Sequence, residues 1–95
     1  MGNANKKIRV ILADDHRVLR EGLLAVLERE SDIEVIGEVS NGREAVRQSQ
    51  KLCPDVVVMD IGMPDLNGID ATRQIKADNA DIQVICLSIH RELHL

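Results

Sequence analysis

Hydrophobic and polar positions change period several times along the chain, and each change marks an expected element. Ile8, Val10, Ile11 and Leu12 form a short β-branched run ending at the acidic pair Asp14-Asp15, which predicts a first strand. From Arg17 the spacing becomes helical. Leu19, Leu23, Val26 and Leu27 share one face, while Arg20, Glu21, Glu28 and Arg29 stand opposite as a solvated face. Ser31-Asp32 breaks that helix, and Ile33 to Val39 reads as a second strand through Val35, Ile36 and Val39. Asn41-Gly42 marks a turn before a second amphipathic helix carrying Ala45, Val46, Ser49 and Leu52. Pro54 stops it, because proline disfavours the helical conformation in the residue before it.

The second half continues the alternation. Val56-Val57-Val58-Met59 is apolar throughout, the pattern of a strand covered on both faces, and it ends at Asp60. Asp65-Leu66-Asn67-Gly68 is turn chemistry leading into a third helix, with Ile69, Thr72, Ile75 and Lys76 spaced along it. Ile82, Val84, Ile85, Cys86 and Leu87 predict a fourth strand ending at Ser88, with a further helix starting near His90. Strand and helix alternate throughout, which predicts an α/β domain: a parallel sheet with helices on both faces. Residues 1–7 are polar and expected to fray, leaving one domain over residues 8–95.

Composition narrows the class. Lys and Arg number 12 against 16 Asp and Glu, a net charge of −4 with no basic run, which argues against direct nucleic-acid binding. No apolar stretch approaches the roughly 20 residues of a membrane span, and no charged-then-apolar leader precedes the first strand. The start Met1-Gly2 suggests myristoylation, but Lys6 stands where that signal needs Ser or Thr. Cys53 and Cys86 read as reduced, buried thiols rather than a disulfide, and the expected compartment is the cytoplasm. There is no Phe, Tyr or Trp, so the core is built from Leu, Ile, Val, Met and Ala, and modest stability is expected.

Three of the four expected strands end in polar residues: Asp14-Asp15, Asp60 and Ser88. In an open parallel sheet the ligand site lies beyond the carboxyl ends of the strands, so residues distant in sequence converge there. Converging carboxylates repel one another, and a divalent cation removes the conflict. Mg2+ takes oxygen ligands, commonly one or two carboxylates together with a phosphate oxygen. A carboxylate in such a site can also act as a nucleophile and form an aspartyl phosphate, with catalysis supplied mostly by positioning and electrostatics. Taken singly, each Asp is explained as a turn former or helix cap; the constellation favours function.

Leu12-Ala13-Asp14-Asp15-His16, the run from Val57 to Gly68 that includes Met59-Asp60-Ile61-Gly62-Met63-Pro64, and Leu87-Ser88 together resemble the response-regulator receiver domain of two-component systems. The central motif and Ile69-Asp70-Ala71-Thr72-Arg73 resemble its LuxR/FixJ-type branch of transcriptional regulators. The resemblance runs from Ile8 to His90. It implies a flavodoxin-like, doubly wound parallel sheet of the CheY type, with strand order 2-1-3-4 and without the fifth strand and last helix. It implies a signalling domain rather than an enzyme, with Asp60 accepting phosphate from the phosphohistidine of a sensor histidine kinase. By the same resemblance Asp15 binds Mg2+ directly, Asp14 holds it through water, the Gly62 carbonyl completes the protein ligands and Ser88 supplies the switch hydroxyl. Met63-Pro64 and Gly68 would shape the loop after the phosphoacceptor, where glycine accepts a positive φ.

The family pattern continues with a fifth strand bearing a Lys, a fifth helix and, in this branch, a DNA-binding domain; none lies within these 95 residues. A shortened product and a protein completed by another chain are the two explanations. An exposed edge at the fourth strand and a partly uncovered first helix follow, and with them an expected homo-oligomer, strand- or helix-exchanged. Without the Lys, phosphorylation is expected to be weak, and the alternative function is a phosphorylation-impaired dimerisation or decoy module. A phosphatase is a weaker idea, since no further general acid or base is evident. His90 and His94 lie at i and i+4, but Glu92 is misplaced for a zinc-protease helix. His16 is read as lying at a helix start or at an edge facing the kinase.

Overall fold

Seven elements alternate along the chain: β1 (Ile8–Ala13), α1 (Arg17–Glu28), β2 (Ile33–Val39), α2 (Gly42–Leu52), β3 (Val56–Asp60), α3 (Gly68–Asp78) and β4 (Gln83–Leu87). The computed structural model describes residues 6–63 and 65–87. The strands form one parallel sheet in the order β2-β1-β3-β4, the flavodoxin-like arrangement expected. Ser88 and the helix expected from His90 lie outside the described residues, as do His94, Pro64 and the first five residues of the tail.

The two inner strands carry the most apolar sequences. Val10 to Ala13 are all buried, and because side chains alternate along a strand they serve both faces of the sheet. Ile11 and Ala13 face the main core with Val57, Met59, Ala45, Val46, Ala71, Ile75 and Ile82, beneath α2 and α3. α1 packs on the other face, over β1 and β2. Pairing of β1 with β2 passes from Val10–Val35 to Ile11–Gly37, so Ile36 is bulged out of register.

Capping follows local chemistry. Asn41 precedes α2, and its side-chain oxygen accepts from the Glu44 amide at 2.8 Å; Asn67 does the same for Asp70 at 2.9 Å. Asn41-Gly42, read as a turn, is thus the start of a helix. α2 ends at Leu52 with Cys53 in the left-handed region at φ 48°, and buried Pro54 follows. Lys76 closes the far end of α3 by donating to the carbonyls of Ala80 and Ile82, both at 2.7 Å.

Several expectations change. Both cysteines are free, but exposed rather than buried: Cys53 sits at a helix end, and Cys86 on β4 has its Sγ 3.7 Å from Thr72 Oγ1 of α3. Val26 and Ile69 are exposed despite their helical spacing, and α1 contains no fully buried residue. The buried side of α3 runs through Gly68, Ala71 and Ile75 instead. Arg20 is not on a solvated face. Its guanidinium donates to the Asp14 carbonyl at 2.6 Å and pairs with Glu38 at 3.3 Å.

Candidate metal centre

The sheet order places β1 beside β3, with Ala13 opposite Met59, so the residues that follow emerge side by side at the carboxyl edge. Asp60 is the last residue of β3 and Asp14 the first beyond β1. Their side chains are almost fully buried, at 5% and 3% exposure, whereas Asp15 is 30% exposed. The Asp14 amide bonds to the Val39 carbonyl at 3.0 Å, which together with Arg20 fixes the end of β1.

Each buried carboxylate uses one oxygen in a backbone hydrogen bond and leaves the other with none. Asp60 Oδ1 accepts from the Gly62 amide at 3.0 Å. Asp14 Oδ1 accepts from the His16 amide at 2.7 Å. Asp60 Oδ2 and Asp14 Oδ2 are buried with no hydrogen bond. A buried polar atom without a partner costs about 1–3 kcal/mol, more when it is charged, and neighbouring like charges add to that cost. Three carboxylates with two unsatisfied oxygens therefore fit a hard divalent cation such as Mg2+. One ligand atom from each of Asp14, Asp15, His16 and Asp60 falls within a 4.8 Å cluster.

His16 is the member of this cluster that sequence reasoning missed. It occupies the N-cap position of α1, as expected of a helix start, but its side chain makes no capping bond. The ring turns into the acidic site: Nδ1 lies 2.9 Å from Asp14 Oδ1 and 3.3 Å from both Asp15 Oδ1 and Asp60 Oδ2. Its position directly after the Asp pair was the available signal.

The wall opposite is the β3–α3 loop. Gly62 is exposed, with its amide on Asp60, and Met63 is buried and pins the loop to the core. The positive φ belongs to Asp65, at 71°, not to Gly68. Arg43 of α2 forks onto the Asp65 carboxylate at 3.1 and 3.3 Å, holding that turn. Gly68 is required for another reason: a Cβ there would lie 2.5 Å from both the Asp60 carbonyl oxygen and Ile61 Cα. The Ile61 amide also bonds to the Leu87 carbonyl at 3.2 Å, linking the residue after Asp60 to the end of β4. Ser88, the next residue, lies outside the described residues.

Comparison with known proteins agrees with this fold. A family model described as the response regulator receiver domain matches residues 10–95. The transcriptional regulatory protein LiaR of Bacillus subtilis (strain 168) is 51% identical over 81 residues, 85% of this chain and 38% of LiaR. The solved structure of a LuxR-family two-component response regulator from Aurantimonas sp. SI85-9A1 superposes with a TM-score of 0.84 at 34% identity, covering 90% of this chain and 61% of that one. The receiver domain of the NarL response regulator from Mycobacterium tuberculosis gives 0.85 at 30% identity, covering 92% and 70%. The chain spans less than two fifths of the length of the curated relatives it matches.

Proposed function

The chain belongs to the response regulator receiver family, and on that premise we propose that residues 8–95 form a phosphorylation-controlled signalling module centred on Asp60. The observation that carries this reading is the buried Asp60 carboxylate at the end of an inner strand. One oxygen is held by the Gly62 amide, and the other makes no hydrogen bond and lies 3.3 Å from His16 Nδ1, beside two further aspartates.

In the proposed reaction a carboxylate oxygen of Asp60 forms a bond to phosphorus as the N–P bond of a sensor kinase phosphohistidine breaks. The imidazole leaves with the electron pair. Asp15 would hold Mg2+ directly and Asp14 through water, with Asp60 and the Gly62 carbonyl as remaining protein ligands; the bound ion supplies positive charge against the phosphoryl oxygens. The Gly62 amide orients the Asp60 carboxylate. The Ile61–Leu87 hydrogen bond supports a route to the switch hydroxyl of Ser88, because movement next to Asp60 reaches β4 directly. Such a module signals by shifting between two states that phosphorylation biases; it is not an enzyme acting on an external substrate.

The output proposed is a change in partner or self-association that controls transcription, as the name of LiaR states for that relative. Net charge −4 argues against this chain touching nucleic acid itself. Self-association is supported by β4, which among the described residues has a strand neighbour on one side only and carries Ile85 at 53% exposure. No helix among the described residues is long and apolar enough to cross a membrane. The free thiols suit the reducing cytoplasm.

Incubation with acetyl phosphate and Mg2+, followed by intact mass, tests the reading. A single phosphoryl adduct that disappears in Asp60→Asn is expected. No adduct at any Mg2+ concentration would overturn it.

A further inference from the structure

We propose that the cavity between the C-terminal ends of α2 and α3 is a binding site for a small aliphatic amine. Its ammonium group would be set against Asp78 and Ser49, and its carbon chain against Ile75 and Ile82. The cavity lies at the other end of α3 from Asp60, so the inference is independent of the acidic centre.

The cavity measures about 210 Å3 and opens where the two helices end. Sites for drug-sized ligands run to roughly 300–1,000 Å3, so this one takes a molecule of a few carbons. From α2 it is lined by Ser49 and Cys53, one turn apart on one face, and from α3 by Ile75 and Asp78. Ile82, just before β4, adds a second apolar wall. Gln50 Nε2 donates to Asp78 Oδ2 at 2.6 Å and joins the two helices beside it.

Ser49 is the sign that a ligand belongs there. It is 2% exposed, and its hydroxyl has no hydrogen-bond partner. A serine within a helix can satisfy itself on the carbonyl four residues back, yet Ser49 lines the cavity unpaired. A buried hydroxyl in that state is costly, and a polar ligand group in the cavity removes the cost.

Charge decides the class of ligand. Among the described residues lining the cavity, Asp78 bears the only charge. The C-terminal ends of both helices meet here, and each presents partial negative charge. The neighbouring cations are spent on backbone carbonyls: Lys76 on those of Ala80 and Ile82, and Arg9 on that of Cys53. An anion would face the carboxylate and two helix ends. An ammonium group meets complementary charge, and its three donors suit the Asp78 carboxylate and the Ser49 oxygen. The buried side chains of Ile75 and Ile82 suit a short carbon chain.

Cys53 lines the same cavity as a free, exposed thiol and serves as the reporter. The chain is equilibrated with cystamine, bis(2-hydroxyethyl) disulfide or dithiodiglycolate, each buffered by its own thiol. A cysteine thiolate displaces one half of the probe as free thiol and keeps the other half as a mixed disulfide. Peptide mass mapping then counts the adducts at Cys53 and, as internal control, at Cys86. Relative to Cys86, Cys53 should favour the ammonium arm over the hydroxyl arm by about fivefold, and disfavour the carboxylate arm. Asp78→Asn should abolish the ammonium preference and leave the yield of the hydroxyl adduct unchanged. Ser49→Ala should lower that preference, while the melting temperature of the unmodified chain stays level or rises. A cavity that holds only water would give Cys53 and Cys86 the same order among the three arms, which would overturn the site. An ammonium preference retained in Asp78→Asn, or a lower melting temperature in unmodified Ser49→Ala, would overturn it as well.

Discussion

The backbone of Gly68 stands so close to Asp60 that a methyl group at Gly68 would lie 2.5 Å from the Asp60 carbonyl oxygen. Ile61 Cα is equally close, and the Gly68 amide bonds to the Ile61 carbonyl at 3.1 Å. The start of α3 is thus seated on the strand end that presents Asp60, the proposed phosphoacceptor. Both obstacles are backbone atoms, so they cannot rotate away as a flexible side chain would. Gly68→Ala is predicted to push α3 outward, destabilising the fold by about 1–3 kcal/mol and slowing phosphoryl uptake at Asp60. Denaturant unfolding followed by far-UV circular dichroism, paired with intact-mass kinetics, checks both effects.

Asn41 caps α2 through the Glu44 amide, and α2 carries four buried residues. Asn41→Ala should cost about 1 kcal/mol, lowering the melting temperature by roughly 4–8 °C in a domain of this size. Asn41→Asp keeps the acceptor and should restore most of the loss.

The unsatisfied oxygens of Asp14 and Asp60 make the folded state the binder of divalent metal, so Mg2+ is predicted to raise the melting temperature. At a free concentration one hundred times the dissociation constant, the gain is about 2.7 kcal/mol. Asp15→Asn should remove most of this gain. A melting temperature indifferent to Mg2+ would remove the metal from the account.

Among the described residues β4 has a strand neighbour on one side only and exposes Ile85, which predicts association beyond the monomer at tens of micromolar. Sedimentation velocity should show a species heavier than one chain, and Ile85→Lys should shift it toward the monomer, because a charge on an edge strand opposes pairing. A monomeric unaltered chain would contradict this.

What the sequence revealed and what it hid follow from the range of the interactions involved. The strand-end aspartates were legible because β1 and β3 are short apolar runs with abrupt polar ends, and the parallel arrangement brings such ends to one edge. The strand order followed from resemblance, not from periodicity, since pairing partners leave no local mark. The ring of His16 depends on the path of the turn after β1, which Arg20 sets by reaching back to the Asp14 carbonyl; neither contact has a local signature. The exposure of Cys86 and Val26 depends on which faces neighbouring elements cover, a tertiary property that helical or strand spacing cannot report. For Gly68 the sequence suggested freedom of φ, yet the structure shows close approach, which becomes visible only once the β3–α3 loop is traced.

The most direct test of the central claim is the position of the phosphoryl group. Borohydride reduces an aspartyl phosphate to homoserine, so treatment after acetyl phosphate labelling, followed by peptide mass mapping, reads the site residue by residue. The account predicts homoserine at position 60 alone. Homoserine at Asp14, Asp15 or another carboxylate, with Asp60 intact, would contradict it.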